Sequence, residues 1–133
     1  MMKKIFYSSL VLVALAFSLF GCGQAKTKEL TQSQNGITAV FSMSPASPSM
    51  MEPVTLLFSL TDANGKVIEG AQVAYDLTMP GMAMPPNQPQ ATDEGSGHYN
   101  ADATFTMSGD WRAEATVTYN GETTTFAFDF SVN

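Results

Sequence analysis

The run Trp111-Arg112-Ala113-Glu114-Ala115-Thr116-Val117-Thr118-Tyr119-Asn120-Gly121-Glu122-Thr123-Thr124-Thr125-Phe126-Ala127-Phe128-Asp129-Phe130 holds one Asn-Gly pair with alternating apolar residues on both sides. Asn-Gly is the strongest short signal for a two-residue type I′ turn, because both central residues must adopt positive φ. A turn at Asn120-Gly121 pairs Tyr119 with Glu122, and each step back pairs with a step forward. One face then sets Trp111, Ala113 and Ala115 against Phe130, Phe128 and Phe126. The other sets Arg112, Thr116 and Thr118 against Asp129, Thr125 and Thr123. Cross-strand pairs of these kinds contribute roughly 0.2 to 1 kcal/mol each. Both faces agree on one register, so the C-terminal part of the chain is antiparallel sheet.

Period-two patterning continues upstream. Ile37, Ala39, Phe41 and Met43 share one face of a strand, as do Val54, Leu56, Phe58 and Leu60, which end at the turn sequence Asp62-Ala63-Asn64-Gly65. Val73, Tyr75, Leu77 and Met79 form a further apolar face, and Tyr99, Ala101, Ala103 and Phe105 another. No stretch of the domain carries a helical period. The sequence predicts an all-β fold, an immunoglobulin-like antiparallel β-sandwich of about seven strands. Trp111, near the start of a late strand, is expected to anchor the core.

The N-terminus reads as export machinery. Lys3 and Lys4 precede an apolar run from Ile5 to Phe20 that is closed by Gly21-Cys22. The run is shorter than the ~20 residues of a membrane span and suits a cleaved signal peptide, residues 1–21. Leu19-Phe20-Gly21-Cys22 resembles a bacterial lipobox, with Phe20 bulkier than that pattern prefers. Cys22 is the single cysteine, so no disulfide forms within one chain, and it is the expected lipidation site for diacylglycerol and palmitate. Two or more acyl chains anchor a protein stably. Residues 22–35 read as a flexible polar tether spanning on the order of 20 Å. The expected location is the cell envelope, outside the cytoplasm and lipid-anchored; in a double-membrane cell, Gly23 after Cys22 points to the outer membrane.

Residues 36–133 remain for one domain, enough for a single core. The whole chain carries a net charge of −6, and beyond Gly36 only Lys66 and Arg112 are basic. Such a field disfavours nucleic acid and favours a cation or a basic partner surface; an acidic face also keeps an exported domain soluble.

Seven methionines lie beyond the signal: Met43, Met50, Met51, Met79, Met82, Met84 and Met107. Strand phase assigns Met43 and Met79 to the core. Met50 and Met51 fall in the Ser/Pro-rich loop from Ser44 to Pro53, and Met107 precedes the turn at Ser108-Gly109-Asp110. Met82 and Met84 sit in Met79-Pro80-Gly81-Met82-Ala83-Met84-Pro85-Pro86, where proline and glycine exclude helix and central strand. If that segment is extended, side chains two apart point the same way and both sulfurs could approach one ion. Thioether sulfur selects Cu(I) and similar soft ions. His98, the sole histidine, begins a strand out of phase with its apolar residues and should point outward; its imidazole is the natural third ligand. The competing readings are a hydrophobic loop capping the sandwich for Met82 and Met84, and a solvated strand residue for His98.

The strand from Ala71 into Met79-Pro80-Gly81-Met82, followed by Gly97-His98-Tyr99 and Gly109-Asp110-Trp111, resembles the YtkA-like domain family. Members are small exported or membrane-anchored immunoglobulin-like domains, some fused to heavy-metal efflux adaptors or related to FixH proteins of oxidase assembly. The resemblance implies metal contact at positions matching Met82, Met84 and His98. This chain has one histidine and no second His-Met pair, unlike many periplasmic copper chaperones.

An enzyme is not expected: His98 has no partner in the sequence pattern, Cys22 is expected to be acylated, and no phosphate-cradling, dinucleotide or zinc pattern occurs. The leading expectation is a lipid-anchored soft-metal binder, Cu(I) or Ag(I), for sequestration or delivery. The alternative is a non-catalytic module docking a membrane protein through the Met/Pro-rich loop.

Overall fold

A computed structural model describes residues 28–133. The signal peptide, the lipobox with Cys22, and the start of the tether lie outside the described residues. Eight strands form two antiparallel sheets: β1 (Leu30–Gln34), β2 (Ile37–Ser44), β3 (Pro53–Asp62), β4 (Gln72–Thr78), β5 (Thr92–Gly95), β6 (His98–Thr104), β7 (Gly109–Tyr119) and β8 (Glu122–Val132). The larger sheet has the order β1-β2-β3-β6-β5, and the smaller has β4-β7-β8. No helix occurs among the described residues. The all-β sandwich expected from alternation is the fold observed.

The C-terminal hairpin has the register that Asn120-Gly121 dictates, from Tyr119 opposite Glu122 to Trp111 opposite Phe130. Both turn residues have positive φ, 51° and 78°, as a type I′ turn requires. Its alternating residues Trp111, Ala113, Ala115, Phe126, Phe128 and Phe130 are buried, the larger sheet contributes Phe41, Phe58, Leu56, Leu60 and Tyr99, and Phe105 joins them from just beyond β6. The Phe41 ring lies 5.2 Å from Phe58 and 5.3 Å from Phe128. Phe105 meets the edge of Trp111 at 5.0 Å. Aromatic pairs of this kind are worth about 0.5–1.5 kcal/mol beyond the area they bury. Met43 is buried and Met79 packs half-buried against the core, as their strand phase predicts.

Two features differ from the sequence reading. The tether does not extend to Asn35: Leu30–Gln34 pair with β2 through a two-residue turn at Asn35-Gly36, whose φ angles are 51° and 75°. This is the same Asn-Gly chemistry as the last hairpin. The strand escaped alternation because only Leu30 packs on the core, while Thr31 to Gln34 are exposed. The second is β5, a short edge strand with a bulge between Asp93 and Gly95.

The two ends of the sandwich contrast. At one, the turn end, tight connections close the strands at Asn35-Gly36, Asp62 to Gly65, Ser96-Gly97 and Asn120-Gly121. Asp62 Oδ1 accepts the amides of Asn64 and Lys66 there, a side-chain turn typical of Asp. At the other, the loop end, residues 45–52, 79–91 and 105–108 connect the strands. Residues 79–91 leave β4 at the loop end and run back along it before entering β5. The Tyr75 amide donates to the Pro89 carbonyl at 3.0 Å, and the Ala91 amide to the Val73 carbonyl at 2.8 Å. That return covers the free edge of β4, which would otherwise offer unpaired backbone groups.

Candidate metal site

Met79-Pro80-Gly81-Met82 is a tight turn. Proline sets φ at the second position, Gly81 takes the positive φ of 93° demanded at the third, and the Met82 amide donates to the Met79 carbonyl at 3.1 Å. These are the requirements of a type II turn. The chain then doubles back, and the Met79 amide donates to the Met84 sulfur at 3.4 Å. Met84 is half-buried against the core, whereas Met82 is 51% exposed. The extended geometry expected for this segment is therefore replaced by a reversal, which packs Met84 against the core and leaves Met82 in solvent.

Further methionines meet them at the loop end. The Met51 amide donates to the Phe105 carbonyl at 2.8 Å, and the Met50 amide to the Asn133 carbonyl at 2.9 Å. Met107 is half-buried and its carbonyl accepts the Trp111 indole N–H at 3.0 Å. The Met79 methyl lies 3.1 Å from the point a Cβ on Gly109 would occupy, so glycine there makes room for it. Met50, Met51, Met79, Met82, Met84 and Met107 thus share one end of the sandwich, with Met51 70% and Met50 45% exposed. Met50, Met51 and Met107 were not singled out as ligands by sequence. The signal that could have found them is strand direction: their loops and the Met79 to Met84 loop all close the same end.

His98 lies elsewhere. It begins β6 at the turn end, exposed on the outer face of the larger sheet as its phase predicts, with Nδ1 2.9 Å from Ser59 Oγ. It borders a groove of about 710 Å³ with Leu57, Glu94 and Asn100. The thioethers of Met82 and Met84 and the imidazole of His98 are consequently not gathered at one point. Among the described residues, no three His, Cys, Asp or Glu side chains come together in a way that could hold a metal ion.

One ion pair lies near the loop end. Arg112 and Asp129 face each other on β7 and β8 and form a two-pronged contact, Nε to Oδ1 at 2.7 Å and Nη2 to Oδ2 at 3.2 Å. The hydrogen bonds from Arg112 hold the Asp129 carboxyl below its ordinary range, and Asp129 raises the guanidinium in turn. Lys28 borders the same surface cleft, together with Pro80, Asp110 and Trp111.

A family model described as YtkA-like matches residues 31–116, from β1 into β7. The chain belongs to the YtkA-like family. The matched span contains Met79, Met82, Met84, Met107 and His98, and leaves β8 outside. Among solved structures, this YtkA-like chain is similar to the PmoD soluble domain of a Methylocystis species. Identity is 12% with a TM-score of 0.55, covering 78% of this chain and 97% of that one. It is also similar to a bromine derivative of BhCBM56, at 18% identity and a TM-score of 0.49, covering 76% and 97%. At 12% identity the likeness to the PmoD domain is one of fold. No curated protein matches the sequence.

Proposed function

We propose that this YtkA-like domain is a lipid-anchored, extracytoplasmic binder of Cu(I) or Ag(I) that sequesters the ion or hands it on through thioethers at the loop end. One observation carries the reading. Of the seven methionines among the described residues, all but Met43 converge on one end of the sandwich, and three of them are exposed. Neutral thioether sulfur prefers soft monovalent ions and survives in an oxidising compartment. Exposed sulfurs exchange ligands readily, which suits transfer rather than permanent storage. Met84 spends one sulfur lone pair on the Met79 amide, so Met82 and Met51 are the freer ligands. The role is non-catalytic, and His98 stands outside the set.

The test is Cu(I) titration of the exported protein against a chromogenic chelator. Met82→Leu together with Met51→Leu should weaken binding, and His98→Ala should leave it unchanged. Undetectable Cu(I) binding, or an unchanged affinity in the double variant, would sink the reading. Exposure of Met50, Met51 and Met82 also favours a second reading, a surface that docks a membrane protein. A partner captured without metal and lost on Met82→Leu would support that instead.

A further inference from the structure

We infer that the loop end is the membrane-facing end of the domain, with Met50, Met51 and Met82 resting at the depth of the lipid headgroups. The inference rests on the reading that Cys22 carries acyl chains. Lys28, the first described residue, borders the cleft that holds Pro80, Asp110 and Trp111, so the chain enters the domain at the loop end. Between Cys22 and Lys28 the chain can span at most about 20 Å, at roughly 3.3–3.6 Å per residue. The sandwich is longer than that: β8 alone has 11 residues, or roughly 35 Å at ~3.3 Å each. With the turn end on the bilayer, the point of entry would stand farther from the surface than the tether reaches. The inverted orientation is therefore excluded by chain length.

Charge and apolar exposure select the upright orientation over one lying on its side. The turn end carries Asp62, Glu69, Asp93, Glu94 and Glu122 against Lys66 alone, and anionic headgroups repel it. The loop end pairs Arg112 with Asp129 and sets Lys28 against Glu29, Glu52 and Asp110, so it is acidic too but less so than the turn end. Three of the four large hydrophobic side chains exposed on the domain, Met50, Met51 and Met82, are at the loop end; the fourth, Val67, is beside Gly97 at the turn end. Pro80, Pro85 and Pro86 are exposed with them and add apolar surface without backbone donors. Acyl chains supply the anchorage, and the loop end sets only the orientation. The thioethers then lie at the bilayer surface, within reach of membrane-embedded rather than soluble partners.

The experiment uses the full acylated chain in protein-free vesicles of phosphatidylethanolamine and phosphatidylglycerol. The Cys22 sulfur is capped as a diacylglyceryl thioether, so Met50→Cys, Met82→Cys and Glu122→Cys each offer one thiol for a spin label. Labels at positions 50 and 82 should relax more with dissolved oxygen, which partitions into lipid, than with a water-soluble nickel chelate. At position 122 the ratio should reverse. Equal access of the nickel chelate to all three overturns the inference, even if a membrane protein shields positions 50 and 82 in native membranes. A chain that fails to stay with the vesicles overturns the anchor and the orientation together. No metal enters this measurement, so its failure leaves the Cu(I) titration to stand or fall alone.

Discussion

The sulfur of Met84 sits 3.4 Å from the backbone nitrogen of Met79 and accepts its hydrogen. Two methionines separated by one residue therefore do different work: Met84 braces the turn from inside, and Met82 is left in solvent. Leucine fills nearly the same volume as methionine but offers no acceptor. Met84→Leu should lower stability by about 1 kcal/mol, because a part-buried amide loses its partner. Met82→Leu should stay within about 0.5 kcal/mol of the parent, as exposed substitutions do. Urea unfolding of both variants checks this, and equal losses would show that the sulfur does not hold the turn.

Gly97 is the tightest glycine in the fold. A Cβ there would lie 2.8 Å from the Leu60 carbonyl oxygen and 3.0 Å from the Val67 Cβ, at a φ of 75°. The Leu60 amide also donates to the Gly97 carbonyl at 2.9 Å, so the backbone cannot move aside without losing a bond. Gly121 has nearly the same φ, 78°, with nothing within 4 Å. Gly97→Ala should cost at least about 2 kcal/mol, and Gly121→Ala about 1 kcal/mol, the penalty of the left-handed backbone alone. Chemical denaturation of the pair isolates the steric part by difference.

The C-terminal hairpin was legible pair by pair because one two-residue turn fixes every later partner and both faces agree with it. The signal at Asn35-Gly36 was equally strong, but β1 is an edge strand whose exposed Thr31, Gln32, Ser33 and Gln34 show no apolar rhythm. β5, reading Thr92-Asp93-Glu94-Gly95, is too short and too acidic to show one either. Missing β5 had a consequence for the site. Without it the chain's return from the loop end to the turn end goes unaccounted, and His98 seems close to Met84. The outward aim of His98 follows from strand phase; its distance from the thioethers follows only from topology. Met84 turned inward for a local reason that alternation does not report, since its partner is the Met79 amide, five residues back across the turn.

Arg112 and Asp129 give the fold a pH signature. Hydrogen bonds from the guanidinium hold the Asp129 carboxyl below its ordinary value, near 3.9 in an unfolded chain. A carboxyl with a depressed folded pKa contributes stability that is present above its unfolded value and is lost as pH falls through the folded one. In a carboxyl-detected NMR titration, Asp129 should titrate below the ordinary aspartate value, and Arg112→Gln should return it to the ordinary range. Arg112 is partly exposed and Asp129 largely so, 38% and 66%, so molar salt should shrink the shift. A shift that survives Arg112→Gln would point to another cause.

Tyr99 ties the two halves of the sandwich with one buried hydroxyl, which donates to the Ile68 carbonyl at 2.8 Å and accepts the Ala71 amide at 3.1 Å. Ile68 and Ala71 belong to the connection between β3 and β4 that crosses from one sheet to the other, so these bonds fix that crossing against β6. Tyr99→Phe keeps the ring and strands both backbone groups, which should cost about 1–3 kcal/mol. Burial also pushes the Tyr99 hydroxyl up from its usual value near 10. Because the folded pKa is the higher one, this stability is fully present below pH ~10 and falls away as pH rises through the folded value. Tyr75 is raised by burial too, but it is common to both proteins and cancels in their difference. Urea unfolding of parent and variant should show a constant gap from pH 7 to 9 that narrows above about pH 10. A gap still constant at the alkaline end would mean that the Tyr99 proton is not needed for the crossing.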